Sequence, residues 1–354
     1  MRSPSTSRVE VPFSARFHSA RSGRNPDGMP VEGLRTGWCA PKQALMSAFD
    51  HLPVMLDEIV ELLADTPGGV YLDATLGGAG HAAAVLDAAP QLNLIGLDQD
   101  PDAVAASTAA LARFGPRATV IRARFDRAGE ILDSLQVERL SAALFDLGVS
   151  SPQLDRAERG FSYRFAGALD MRMDPGGRLT AADVVNGWSE AELADLFREH
   201  GESRFARRIA RRVVAARPIT TTTELAEVVR QAIPAAARRT GGHPARRVFQ
   251  AVRVAVNEEL AILPAALDGV VNRLAPGGRC AVLSYHSGED RIVKERFRRA
   301  ATGGCVCPPG LPCVCGAVPS VRLLTRGARR PSAEEISRNR RAESARLRVV
   351  EGVQ

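Results

Sequence analysis

A repeated beat of short apolar runs, each closed by a polar or glycine-rich turn and followed by a helical period, constrains this chain more than any other feature. Val70-Tyr71-Leu72-Asp73 runs straight into glycines, as a buried parallel strand does. Residues 82–89 continue as a helix, and residues 92–97 form a second strand closed by Asp98. Residues 102–114 read as a helix, 119–121 as a third strand and 142–147 as a fourth. More than a hundred residues later, the turn Pro276-Gly277-Gly278 leads into another such strand over 280–285. Strands that alternate with helices predict a doubly wound, Rossmann-like α/β sheet. The gap reads as helices over 190–200, 204–217 and 223–232, hence as a helical domain inserted after the fourth strand. The expected division is a sheet domain over 46–153 and 246–354 and an insertion over 154–245. One long helix beside the sheet is expected over 246–263, and residues 321–324 and 346–350 are expected to be late strands forming an antiparallel edge. There is no internal repeat.

Residues 1–45 are rich in Ser, Arg, Pro and Gly without an apolar period, and a disordered tail is expected there. The stretch is Arg-rich and acid-poor, so a targeting peptide is an alternative, as is a start codon set too far upstream of Met46. It lacks the apolar centre of a secretory signal, and a cytoplasmic location is expected. No apolar run reaches the roughly 20 residues that span a bilayer. The net charge of +7 favours a polyanionic partner, and Lys occurs only at positions 42 and 294, so nearly all of the positive charge is Arg. Arg suits bidentate phosphate contacts, although a GC-rich genome produces the same bias.

The first chemical motif is Asp73-Ala74-Thr75-Leu76-Gly77-Gly78-Ala79-Gly80-His81, which follows a strand and opens a helix. Glycines let backbone approach a ligand, and the helix start offers free N–H groups. Asp98, at the end of the next strand, stands where a carboxylate accepts hydrogen bonds from ribose hydroxyls. Gly78-x-Gly80-x-x-Ala83 loosely matches the dinucleotide fingerprint of an NAD-dependent oxidoreductase. Asp73 ahead of the glycines, with Asp98-x-Asp100-Pro101, resembles instead the class I methyltransferases that bind S-adenosylmethionine. A tight strand-to-helix turn without a ligand is the bland reading.

The second motif, Phe145-Asp146-Leu147-Gly148-Val149-Ser150-Ser151-Pro152-Gln153, closes the fourth strand, beyond whose carboxyl end an open α/β sheet binds ligands. An exocyclic amine on a base is a poor nucleophile, because its lone pair is delocalised into the ring. Groups that accept its N–H protons orient the lone pair and stabilise positive charge developing on nitrogen. Asp146 with the Ser151 hydroxyl, or a loop carbonyl, is expected to do both. Ser-Ser-Pro is equally a helix start with Pro early in the first turn.

Together with these motifs, several long segments make the chain resemble the methyltransferase H (MraW) family of small-subunit rRNA methyltransferases. They are His51 to Glu58, Glu158-Arg159-Gly160-Phe161-Ser162, Leu169-Asp170-Met171-Arg172-Met173-Asp174, Phe249 to Leu260 and Ser284 to Arg291. The resemblance spans roughly positions 50 to 350 and leaves the tail out. It implies transfer of a methyl group from S-adenosylmethionine to the N4 amine of a cytidine in 16S rRNA, on the free RNA or on the small subunit. It further implies cofactor contacts from Ala79, Gly80, His81, Asp98 on ribose, Phe125 near adenine, and Asp146 with Gln153 toward the methyl end. Ala79 stands where the family often has a glycine. A non-catalytic RNA-binding assembly factor with a vestigial cofactor site is the remaining rival.

His81 is assigned no acid–base work, and His286 with Glu289 and Asp290 is expected to form a structural polar network. On a helix, Arg204, Arg208 and Arg211, with Arg207 and Arg212, share one broad face. With rRNA as the implied substrate, that face is expected to meet phosphates rather than solvent alone. Cys305-x-Cys307 and Cys313-x-Cys315 invite zinc. Their spacing is tighter than the usual two-residue spacer and Pro308, Pro309 and Pro312 stiffen the loop, so no metal is assigned.

Overall fold

A computed structural model describes residues 52–238, 243–308 and 314–354. The tail expected over 1–45 lies outside them. In chain order the first elements are α1 (Leu56–Ala64), β1 (Gly69–Asp73), α2 (Gly80–Ala88), β2 (Leu92–Asp98), α3 (Pro101–Leu111), β3 (Ala118–Arg122), α4 (Ala128–Ser134) and β4 (Leu140–Asp146). Then come α5 (Ser151–Asp155), α6 (Ala181–Gly187), α7 (Glu190–Glu199), α8 (Ala206–Ala215), α9 (Thr222–Ala232) and α10 (Ala235–Arg238). The chain closes with α11 (Arg246–Asn257), α12 (Glu259–Val271), β5 (Leu274–Ser284), α13 (Ser287–Ala301), β6 (Val321–Leu323), α14 (Ala333–Arg338) and β7 (Arg346–Gly352).

The strands form one sheet in the order β3-β2-β1-β4-β5-β7-β6. The first five run parallel, and β7 is antiparallel to both β5 and β6. The expected antiparallel edge is therefore present, with β7 lying inside β6. Alternation along each strand divides the sheet's residues between two cores. Tyr71, Leu94, Leu144, Leu283 and Leu347 pack with α1 and α2 on one face, and Leu72, Ile95, Phe145, Val282 and Val350 pack with α4, α12 and α13 on the other. Every β4 residue before Asp146 is buried, as a strand covered on both faces must be. The strand order reverses between β1 and β4, which leaves a crevice at their carboxyl ends.

The insertion has its own apolar core, from Phe161 through α6–α9. Reciprocal capping fixes the starts of three of its helices: Thr180 with Asp183, Ser189 with Glu192, and Thr221 with Glu224. The single helix expected over 246–263 is two helices. Glu258 takes a left-handed conformation (φ 54°, ψ 24°) and breaks it, with no glycine or proline to mark the place. Val248, Phe249, Val252 and Val256 of α11 join the insertion's core, whereas Leu263, Leu267 and Val270 of α12 pack on the sheet. The apolar core of the insertion thus runs past the boundary expected at residue 245.

The insertion also reaches back to the crevice. Asn257 accepts the Met173 N–H (2.8 Å) and donates to the Met171 carbonyl (2.8 Å), clamping the Leu169–Asp174 stretch. From that stretch Met173 Sδ accepts from the Gln99 amide beyond β2 (3.2 Å), and Asp174 pairs with Arg122 at the end of β3 (2.8 Å).

Candidate active site

The crevice between β1 and β4 is lined by the first turns after the parallel strands, and β1, β2, β4 and β5 each end in a polar residue where the buried run stops. After β1 the chain turns sharply. Gly77 has φ 51° and directs its N–H at Asp98 Oδ2 (2.8 Å). Ala79 holds φ 64° without being glycine, and it caps α2 with no side-chain hydrogen bond. A left-handed alanine costs on the order of 1 kcal/mol, a local strain of the kind found at ligand sites. With nothing capping α2, its first N–H groups, at Gly80 and His81, point toward the crevice end of the helix.

Asp98 accepts the Asp100 N–H on its other oxygen (2.9 Å). Each carboxylate oxygen keeps a second lone pair, which is what a pair of ribose hydroxyls requires. Burial raises its pKa, opposed by the N–H groups of Asp100 and Gly77. The Ala123 N–H donates to the Asp98 carbonyl (2.9 Å), which sets the next turn beside β2. Phe125 lies in that turn, half-buried, edge-on to Phe145 with centroids 6.0 Å apart.

Asp146 ends β4 with its side chain 27% exposed, so the carboxylate borders the crevice. Its backbone N–H donates to Thr75 Oγ1 (2.6 Å), tying the β1 and β4 turns together. Oδ1 accepts the Tyr285 hydroxyl (2.6 Å), and Oδ2 stands 3.6 Å from His81 Nδ1. His81 is buried, with Nε2 2.9 Å from the Val54 carbonyl. A carbonyl only accepts, so Nε2 carries a proton and Nδ1 faces the carboxylate. Burial raises the Asp146 pKa, while His81 and then the Tyr285 hydroxyl lower it.

Gln153 is buried with both ends of its amide engaged. Oε1 accepts the Ser150 N–H (3.0 Å) and Nε2 donates to Asp100 Oδ2 (2.8 Å). Asp100 also pairs with Arg159 (2.9 Å) and caps α3 through the Asp102 N–H (3.0 Å). Gln153 therefore holds the β4 turn against the β2 turn. Ser150 is the cap of α5 and Pro152 lies in its first turn, so the helix-start reading of Ser-Ser-Pro holds as well. Ser151 opens α5, half-buried.

One group escapes the sequence reading as a site residue, Tyr285, and a second, Asp73, enters it only as part of the glycine-loop motif. Tyr285 follows β5 directly, and its hydroxyl is the closest hydrogen-bonding partner of the Asp146 carboxylate. Asp73 is 2% exposed; it accepts the Thr75 N–H (3.1 Å) and the Tyr71 hydroxyl (3.2 Å), and burial lifts its pKa from 3.8 to about 7. For Tyr285 the sequence signal is position alone: a polar residue immediately after a parallel strand.

The network expected around His286 is present and structural. His286 caps α13, Glu289 accepts the Tyr285 N–H (2.7 Å), and Asp290 binds Arg346 and Arg348. The arginine helix is shorter than the expected 204–217. Arg204 lies on Phe205 before α8, and Arg217 lies after it, donating to the Val185 and Trp188 carbonyls. Within α8, Ile209, Ala210 and Val213 are buried and Arg207, Arg208, Arg211 and Arg212 are exposed. Arg211 stands 3.5 Å from Glu190 and Arg212 bonds Gln231.

Residues 48–353 match the model of the MraW methylase family. The chain is 51% identical over 308 residues to a protein of Symbiobacterium thermophilum named ribosomal RNA small subunit methyltransferase H, covering 86% of this chain and 96% of that one. A protein of the same name from Anaeromyxobacter dehalogenans is 53% identical over 311 residues, covering 86% and 99%. Another, from a Mycobacterium species (strain KMS), is 48% identical over 354 residues, covering 98% and 92%.

Proposed function

The chain belongs to the MraW methylase family, and on that premise we propose that it methylates the N4 amine of a cytidine in 16S rRNA, with S-adenosylmethionine as donor. Bound in the crevice, that cofactor supplies an electrophilic methyl group on a sulfonium. The residues present fit such a group. The cofactor has no phosphate, so the site needs hydrogen-bonding and acidic groups rather than a cationic cradle. The uncapped start of α2 and the carboxylates of Asp73, Asp98 and Asp146 are of that kind.

Asp98 would accept from the ribose hydroxyls with its two remaining lone pairs. Phe125 would flank the adenine, and the backbone at Ala79, Gly80 and His81, with Asp73 behind it, would hold the amino-acid end. Gln153 acts by fixing the β4 turn through Ser150 and Asp100. The target base must leave its stack to reach the crevice. There Asp146 accepts an N–H of the incoming amine, with the Ser151 hydroxyl as a second acceptor, and orients the nitrogen lone pair. Its negative charge balances the positive charge that grows on nitrogen as the bond to carbon forms. Tyr285 holds Asp146 in place through its hydroxyl, and His81 and Tyr285 both lower the carboxylate's pKa against the effect of burial. After transfer the cationic amine is acidic and releases its proton to water, so no separate general base is needed. The exposed arginines of α8 would meet RNA phosphates.

One observation carries this reading: a crevice-facing carboxylate, Asp146, fixed by a 2.6 Å bond from Tyr285 where the strand order reverses. The test is single-turnover methyl transfer to small subunits lacking the modification, with the product nucleotide mapped. Asp146→Asn keeps shape and one acceptor oxygen but loses the charge. It should lose most of the rate while keeping much of its cofactor binding. Transfer at the parental rate would remove Asp146 from the chemistry. A parent that binds cofactor and RNA but transfers nothing would favour an assembly factor.

A further inference from the structure

We infer that Cys305, Cys307 and Cys315 bind a zinc ion in the connection between α13 and β6. The segment is separate from the crevice and takes no part in the chemistry above. Its ends are sewn together. The Ser320 N–H donates to the Ala300 carbonyl (3.1 Å), and Gly303, at φ 61°, lies so close to Val318 that a Cβ would stand 2.5 Å from its backbone. Between these ends the sequence is nearly mirror-symmetric: Gly304-Cys305-Val306-Cys307-Pro308, then Pro312-Cys313-Val314-Cys315-Gly316.

The thiols converge although they come from both arms. The three sulfurs lie within 4.8 Å of one another, and those of Cys305 and Cys315 are 3.6 Å apart. Ligands at the usual Zn–S length of about 2.3 Å in a tetrahedron stand about 3.8 Å apart, so the cluster needs little adjustment to close on an ion. The Val314 N–H donates to Cys307 Sγ (3.5 Å), the way backbone donors support a metal-bound thiolate.

The valines point to the same conclusion. Val306 and Val314 are 86% and 88% exposed, among the most exposed large apolar side chains described. Burial of apolar surface would turn them inward. The arm over residues 305–307 instead shows solvent its valine and keeps its two cysteines half-buried. That inversion has a physical reason if the sulfurs are the groups that must meet. Thiolate ligands suit zinc, a borderline-soft ion that cysteine sulfurs bind in tetrahedral structural sites. Cys313 lies outside the described residues, and the inference rests on the other three.

The experiment uses full-length protein purified without chelator, with metal content measured by inductively coupled plasma mass spectrometry. About one zinc per chain is expected in the parent, and background zinc in Cys305→Ser/Cys315→Ser with an unchanged circular dichroism spectrum. Metal-stripped parent titrated with Co2+ should develop thiolate-to-cobalt charge-transfer absorption, a readout that does not depend on the variant folding. Background zinc in the parent together with a featureless cobalt spectrum overturns the site. So does a full zinc complement in the variant, or a Cys305–Cys315 disulfide mapped in place of metal.

Discussion

Replacing Asp73 by Asn should make the protein more stable and worse at holding its cofactor. Asp73 is 2% exposed and its pKa rises from 3.8 to about 7, with burial the largest cause and the Thr75 N–H opposing it. Between those two values the native state keeps a proton that the unfolded chain has released. Stability therefore falls as pH climbs through that window, and the loss is complete above about pH 7. A shift of about three units corresponds to on the order of 4 kcal/mol, an upper figure because neighbouring groups adjust when the charge forms. Asparagine carries no such cost. Its oxygen can keep the Thr75 N–H, and its amide can donate to the Tyr71 hydroxyl, which turns to accept. Urea unfolding of parent and Asp73→Asn near pH 5 and near pH 8 reads the effect. The advantage of the variant should grow by roughly 2–3 kcal/mol between the two conditions. Calorimetry with S-adenosylmethionine should show weaker binding, because the carboxylate proposed to stand behind the backbone that holds the amino-acid end is gone. Equal pH dependence in the two proteins would refute the buried-charge argument, and undiminished affinity would refute the role at the cofactor.

Tyr285→Phe removes the hydroxyl that lowers the Asp146 pKa, so the acid limb of the methyl-transfer pH profile should move to higher pH; an unmoved limb would show that Asp146 titration does not limit the rate. Asp98→Ala should weaken cofactor binding by roughly 1–3 kcal/mol in calorimetry, the scale of a lost hydrogen bond to a charged group, and unchanged affinity in a folded variant would overturn the ribose assignment. Charge reversal at Arg207, Arg208 and Arg211 should weaken RNA binding, spare cofactor binding and flatten the salt dependence by about 0.7 for each phosphate no longer neutralised; parallel salt slopes would return α8 to a plain solvated face.

The central strands β1, β2, β4 and β5 are legible in the sequence because their apolar runs are largely buried and stop abruptly at polar residues. Asp73, Asp98 and Asp146 each end such a run at the carboxyl side of the sheet. The partners of those carboxylates are less legible, because hydrogen bonds between distant turns leave no periodic trace. Tyr285 reaches Asp146 across 139 positions, and Gln153 reaches Asp100 across 53. Glu258 shows a different limit. Helical periodicity continues on both sides of it, and only its left-handed backbone separates a helix of the insertion from a helix of the sheet. The arginine spacing does mark one exposed face, but the helix bearing it ends before Arg217, which bonds backbone carbonyls instead.

The position of β7 bears on how the protein can be made. Its residues, Arg346–Gly352, are translated after all the other strands, yet they lie between β5 and β6 rather than at the rim. Until β7 is made, β5 has one edge bare, along an apolar run, Cys280-Ala281-Val282-Leu283. β6 has nothing to pair with until β7 arrives. The growing chain thus carries an open, sticky sheet edge until β7 emerges, a state in which strands of neighbouring chains compete for the same bonds. A message truncated just before Arg346 would therefore yield a chain that aggregates, and not merely one with a shortened tail.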